Sequence, residues 1–332
     1  MKKIIFGIFR VALSFGVLLY VLRTISFQEI VTNMASANVW FIFIGTCILQ
    51  INIYIAALKL NVLTKKQKML LTVGNIFKIN YITKFYDLIF PQLISGGVIR
   101  WHILSKNDKK PAQALAAMIF NRLTEVQILV VFGLFFWFLD NPPNSNSFTG
   151  FSLIFFTLVL FSVYPIVLNK KLYDFISINL HKIPFFPKIF IEKLNKVFIS
   201  IGHYKNLTRT ELVYVFGLSF AKHLVGLLSI YMISLSIDLN VSFISLGWIR
   251  TILQIICALP ISVNGVGFRE GSLIYMLGLY SVAPALSVTL SFLLYIVNFF
   301  GGFIGGIYLV FDQISQIHSK FFPSKGIRDG SK

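Results

Sequence analysis

A motif written twice constrains this chain more than any other feature. The first copy reads Phe90-Pro91-Gln92-Leu93-Ile94-Ser95-Gly96-Gly97-Val98-Ile99-Arg100. The second reads Leu259-Pro260-Ile261-Ser262-Val263-Asn264-Gly265-Val266-Gly267-Phe268-Arg269, with the prolines 169 positions apart. Each copy runs from an apolar residue and proline through Ser or Asn and glycine to an arginine nine residues after the proline. Proline removes a backbone donor and glycine weakens a helix. The expectation is therefore broken backbone at matched places in two halves, hinged at Pro91, Gly96 and Gly97 and at Pro260, Asn264, Gly265, Gly267 and Gly271. In a membrane protein, paired interrupted segments point to a binding site at a repeat interface.

The chain does read as a membrane protein. Of its 332 residues 56% are hydrophobic, and 35 are phenylalanine. The mean hydropathy is +0.79. A formal net charge of +18 would point to nucleic acid in a soluble protein, but here the cations gather between apolar runs. Nucleic acid is not expected as a partner. Cys47 and Cys257 both lie in apolar runs and read as small buried hydrophobes. The five histidines form no metal-type spacing, and no phosphate-binding glycine loop or nucleophile elbow occurs. No cofactor, metal or catalytic residue is expected, and neither ATP hydrolysis nor other enzyme activity.

Six stretches are long enough to cross a bilayer, at about 4–22, 39–58, 113–139, 150–168, 211–237 and 285–311. The first follows Lys2-Lys3 without a small-residue cleavage site, so it reads as a retained anchor. The connection 140–150 carries no Lys or Arg, 238–243 carries none, and 23–38 carries Arg23 alone. By contrast 59–68 holds Lys59, Lys65, Lys66 and Lys68, and 169–210 is strongly basic. Placing both termini in the cytoplasm of a plasma (inner) membrane puts every basic loop inside.

Two further apolar regions, about 70–104 and 244–281, each carry one motif copy, and each reads as a re-entrant or broken-helix pair. Three full spans separate them, so they enter from opposite faces, as in an inverted repeat with halves of about 70–139 and 244–311. The fold class expected is all-α: one transmembrane domain over 1–314, a cytoplasmic amphipathic connector at 169–210, and a basic tail at 315–332. Eight or more full spans is the alternative. Gly133 matches Gly302 across the halves, and the Gly-x-x-x-Gly pairs at 301–306 read as internal packing, with a homo-oligomer left open.

Ionisable residues inside spans need partners or a wet cavity. Arg122 and Glu125 stand at i, i+3 and can share a helix face, and Lys222 lies at a depth where it can meet Glu125. Arg100, Arg122, Lys222, Arg250 and Arg269 outnumber Asp87, Glu125 and Glu270. A cationic interior of this kind attracts an anion such as a lipid phosphate, helped by the N–H groups of broken-helix N-termini.

The Pro91-to-Arg100 segment, Arg122-x-x-Glu125 and the run from Leu259-Pro260 to Arg269-Glu270-Gly271 resemble the lysylphosphatidylglycerol synthase transmembrane region, a family of flippase-like membrane proteins. The resemblance covers nearly the whole chain. It departs at Asn121, where the family commonly carries an acid. It implies a protein that moves or handles lipids between leaflets, standing without the soluble synthetase domain of the full-length enzymes. On that reading the substrate-binding residues are Arg100, Arg269, Arg122, Glu125, Glu270 and Lys222, and the partners are membrane phospholipids or polyprenyl-phosphate lipids. The rival reading is a non-transporting subunit or lipid-binding scaffold for a lipid-modifying aminoacyl- or glycosyl-transferase.

Overall fold

The computed structural model of the chain describes residues 16–20, 23, 25–90, 93–142, 150, 154–155, 157–159, 188–258 and 265–321. Pro91, Pro260 and Asn264 lie outside them, as do most of the expected spans 4–22 and 150–168, the connector up to 187 and the tail beyond 321. The described chain is all helical. In order it forms α1 (Phe27–Ala35), α2 (Val39–Lys66), α3 (Val73–Ile89), a π-helical segment (Leu93–Ile99), α4 (Arg100–Asp108) and α5 (Pro111–Asp140). Then follow α6 (Lys188–Gly202), a 3₁₀ turn (His203–Asn206), α7 (Arg209–Leu235), α8 (Phe243–Ala258), α9 (Phe268–Gly278) and α10 (Pro284–Phe321).

Four of these are long and apolar enough to span: 39–66, 111–140, 209–235 and 284–311. Local chemistry fixes their ends. The Asn38 side chain caps α2, and a reciprocal Thr208–Glu211 capping box opens α7. Pro111 begins α5, where its missing N–H loses no bond. The helix after the second motif, α9, has 11 residues, or about 16 Å, half the hydrocarbon thickness.

Helices α1–α5 and α6–α10 repeat one order at an offset of about 170 residues, and they pack reciprocally. Each first limb crosses to the long helix of the other half, α3 against α10 and α8 against α5. Likewise α1 meets α10 and α6 meets α5. The equivalent helices α2 and α7 pack on each other, and their polarity is antiparallel. The Asn38 N–H at the start of α2 donates to the Ser236 carbonyl just beyond α7. Ser229 Oγ donates to the Gly45 carbonyl. At the far end Lys66 Nζ stands 2.9 Å from Glu211 Oε2. Midway, Asn52 Nδ2 donates to the Lys222 carbonyl. Equivalent helices that lie antiparallel are related by a two-fold axis perpendicular to them, which is the geometry of an inverted repeat. That axis passes beside residues 52 and 222, which are equivalent positions.

Small residues set the close approaches. A Cβ on Gly305 would stand 1.9 Å from the Tyr81 carbonyl oxygen, and one on Gly302 would stand 2.4 Å from Leu88 Cδ1, so the glycines of α10 receive α3. The equivalent Gly133 on α5 receives Thr251 of α8 at 2.4 Å. The Gly-x-x-x-Gly pairs therefore serve packing inside the molecule. Cys47 departs from the buried reading and is exposed on α2.

Candidate functional site

The two broken segments are built differently. In the first, backbone helicity persists as a π segment through Gly96 and Gly97, and a Cβ on Gly97 would meet nothing within 4 Å. Gly97 is thus not required by close packing. Gly271 likewise sits inside α9 with open space around its Cα. Gly265 and Gly267 do fit the expectation of bent backbone, since both take φ of +81°. A Cβ on Gly265 would also come within 2.6 Å of Cys257 Sγ.

Glu270 closes the N-terminus of α9. Its Oε2 accepts from the Gly267 N–H at 2.6 Å, and Ser291 Oγ donates to its other oxygen. A carboxylate therefore already holds the N-terminus that the sequence reading offered to an incoming anion. Arg269 is equally engaged. Its Nε and Nη2 donate to Ser291 Oγ and O at 2.9 Å, and Nε lies 3.6 Å from Glu270. Its guanidinium carbon sits 3.3 Å from the centre of the Tyr295 ring. The second motif ends in an arginine that the protein satisfies by itself.

The first half places a different constellation at the corresponding positions. Asn121 and Glu125 of α5 stand where α10 carries Ser291 and Tyr295. Glu125 Oε1 lies 2.7 Å from Lys222 Nζ of α7 and 3.9 Å from Lys59 Nζ of α2. Asn121 Nδ2 donates to the same oxygen at 3.4 Å, and its own carbonyl accepts from Lys59 at 3.1 Å. His223 Nε2 stands 3.1 Å from the Glu125 carbonyl oxygen and must donate there. Its Nδ1 is buried with no hydrogen-bond partner, as are Asn121 Oδ1 and Arg100 Nε. Arg100, which opens α4, uses Nη2 to reach Asn80 Oδ1 on α3. Three helices, α2, α5 and α7, thus bring together one carboxylate, two lysines and a histidine beside the repeat axis.

The Glu125–Lys222 contact expected from depth is formed. The Arg122–Glu125 pair is not, because Arg122 faces outward and is exposed. One turn of helix puts i and i+3 within reach, but two lysines from neighbouring helices outcompete an outward arginine for the buried acid. Lys59 is the residue that sequence reasoning missed. It was grouped with the cations of 59–68 because the apolar run stops at 58. In fact α2 continues to Lys66, and Lys59 is fully buried, at 0% exposure. Asn80 and His223 carry no signal beyond being polar in apolar stretches, while Asn121 is marked only as the place where the resembled family commonly has an acid.

A second polar cluster closes the far ends of α5 and α8. Asp140 accepts from Ser245 Oγ at 2.6 Å, from Trp248 Nε1 at 2.8 Å and from the Tyr280 hydroxyl. Burial and the hydrogen bond to Asp140 push the Tyr280 hydroxyl above its ordinary pKa, so it stays a donor. A carboxylate at a helix C-terminus opposes the dipole, and these donors offset that.

The model of one protein family, the lysylphosphatidylglycerol synthase TM region, matches residues 7–306. The chain belongs to that family. The match spans both broken segments and every helix from α1 to α9 with most of α10. It makes the chain a polytopic membrane protein with a lipid-related function. No curated protein and no solved structure gives a match.

Proposed function

We propose that this protein moves an anionic lipid, or a lipid-linked anionic headgroup, between membrane leaflets, without itself catalysing a covalent step. The observation that carries the reading is the cationic centre beside the repeat axis, where Lys59, Lys222 and Arg100 gather around Glu125 inside a bundle of apolar helices. Charges at such depth are disfavoured by about 2.5–3.5 kcal/mol each on insertion scales, and they mark pathways for charged groups. Glu125 is the resident anion. An entering phosphate competes with it for Lys222, whose side chain keeps 23% exposure, while Lys59 stays sealed behind. Arg100, with an unsatisfied Nε, receives the headgroup, and the acyl chains remain in the bilayer. The membrane is the plasma (inner) membrane with both termini cytoplasmic, so that the basic loops gather anionic lipid. Lys66, paired with Glu211, then lies on the cytoplasmic side.

One observation favours the rival scaffold reading for the C-terminal half: Arg269 is fully occupied by Ser291, Glu270 and Tyr295. In that half the motif arginine positions helices.

Leaflet exchange of labelled phosphatidylglycerol in proteoliposomes tests the proposal. Exchange above that of protein-free vesicles, lost in Arg100→Ala and retained per folded molecule in Arg269→Ala, is the expected result. No exchange of any anionic lipid by well-folded wild type overturns it in favour of the scaffold.

A further inference from the structure

Among the described residues, Arg250 is the interior arginine that none of the contacts above accounts for. It sits midway along α8, in a helix whose neighbours Trp248, Ile249 and Thr251 are buried. Among the described residues no ion pair or hydrogen bond reaches it, and its Nη1 is buried without a partner. The acids of the sites described above are committed elsewhere: Glu125 to the lysines, Glu270 to the α9 N-terminus, and Asp140 to Ser245, Trp248 and Tyr280. Arg250 as a residue is half-buried, but its Nη1 is sealed, and a guanidinium so placed in an apolar interior without a counter-charge is unfavourable and marks a candidate binding group.

The surroundings are shaped for this side chain. A Cβ on Gly226 of α7 would stand 2.1 Å from Arg250 Nη2 and 2.8 Å from Cζ, so the guanidinium fills the space that a side chain at 226 would take. Gly226 is one turn, about 6 Å, along α7 from Lys222. His223 follows Lys222 on the same helix, and its Nδ1, an acceptor because Nε2 donates to the Glu125 carbonyl, is also unpartnered. In the inverted repeat Arg250 stands at the position of Asn80, the residue that holds Arg100. Each half therefore presents one guanidinium with a buried, unsatisfied nitrogen: Arg100 in the first, Arg250 in the second.

The geometry points to Arg250 as an anion-binding residue of the C-terminal half, taking a phosphate monoester or phosphodiester on the guanidinium that is seated against Gly226. It, rather than Arg269, is the functional counterpart of Arg100. Only the identification of the anion as a lipid headgroup rests on the transport reading. An anion leaving Arg100 meets Lys222 and then Arg250, so the two ends of the path belong to opposite halves. Arginine suits this role, because its planar fork matches two phosphate oxygens and it stays charged when dry.

The test reads thermal unfolding of detergent-purified full-length protein against added phosphatidylglycerol, phosphatidylcholine or glycerol 3-phosphate. Three variants are compared with wild type: Arg250→Met, Arg250→Lys and Gly226→Ala. Removing an unpaired buried charge raises the melting temperature without lipid, so Arg250→Met should be folded and more stable than wild type. It should also bind phosphatidylglycerol about tenfold or more weakly, the worth of one charge-assisted contact. Gly226→Ala keeps the charge but pushes the guanidinium off its seat, and should weaken binding in the same direction. Arg250→Lys should fall between wild type and Arg250→Met. Arg250-dependent stabilisation by glycerol 3-phosphate alone assigns the site to a free phosphate, and by phosphatidylglycerol alone to a lipid; either upholds the site. Arg250→Met that is less stable without lipid, and binds phosphatidylglycerol within about twofold of wild type, overturns it. Failure of leaflet exchange with Arg250-dependent binding intact would sink the transport proposal alone.

Discussion

Removing the carboxylate of Glu125 exposes which lysine needs it. At an effective dielectric of about 20, unit charges at 2.7 and 3.9 Å attract by roughly 6 and 4 kcal/mol, so distance alone makes Lys222 the stronger partner. Solvent reverses the ranking. The Lys222 side chain retains 23% exposure and can turn its ammonium to water, whereas Lys59 retains 0% and keeps only the Asn121 carbonyl. Glu125→Gln should therefore destabilise the protein by about 3–5 kcal/mol, nearly all of it from stranding Lys59. The assay is reversible unfolding of the detergent-solubilised protein in mixed micelles, applied to Glu125→Gln alone and combined with Lys59→Met or Lys222→Met. The combination with Lys59→Met should recover more than half of the loss, and that with Lys222→Met much less. Greater rescue by Lys222→Met would refute the claim that burial, rather than distance, decides this pair.

The inverted arrangement predicts that single cysteines at Asn38 and Ser236 react with an impermeant maleimide from one face of sealed vesicles, and those at Lys66 and Glu211 from the opposite face. Gly305→Ala, whose Cβ would lie 1.9 Å from backbone, should sharply lower the yield of monodisperse protein, while Gly97→Ala should leave it unchanged. Asp140→Asn weakens the acceptor shared by Ser245, Trp248 and Tyr280. It should lower stability by about 1–3 kcal/mol and shift Trp248 fluorescence, whereas an intact spectrum would show that the cluster does not depend on the charge.

The architecture was legible because its signals are collective. Period and hydropathy each sum over tens of residues, and the two motif copies located the extended Phe90 that ends α3 and the turn at Gly265 and Gly267 before α9. The centre was less legible because single polar residues decide it. Lys59 stands one residue past the apolar run, and only the continuation of α2 for two more turns buries it. Arg122 and Glu125 satisfy a local rule that the neighbouring helices override. Arg269 and Arg100 occupy equivalent motif positions, yet Ser291 and Tyr295 occupy one arginine while Asn121 and Glu125 leave the other open. Which outcome holds depends on residues about 20 positions downstream, beyond any pattern the motif itself contains.

Asn52 and Lys222 occupy the same place in the two halves and touch across the two-fold axis. In a dimer of two identical copies, any residue on such an axis faces itself, so a lysine there would confront a second lysine in a medium that cannot screen it. A fused chain is free of that restriction. It can place an amide on one side and a cation on the other, and so keep one positive group at the centre of a bilayer where a matched pair would be driven apart. Joining the halves covalently thus lets the midpoint carry an amide opposite a cation, and it makes an otherwise symmetric scaffold asymmetric at its axis.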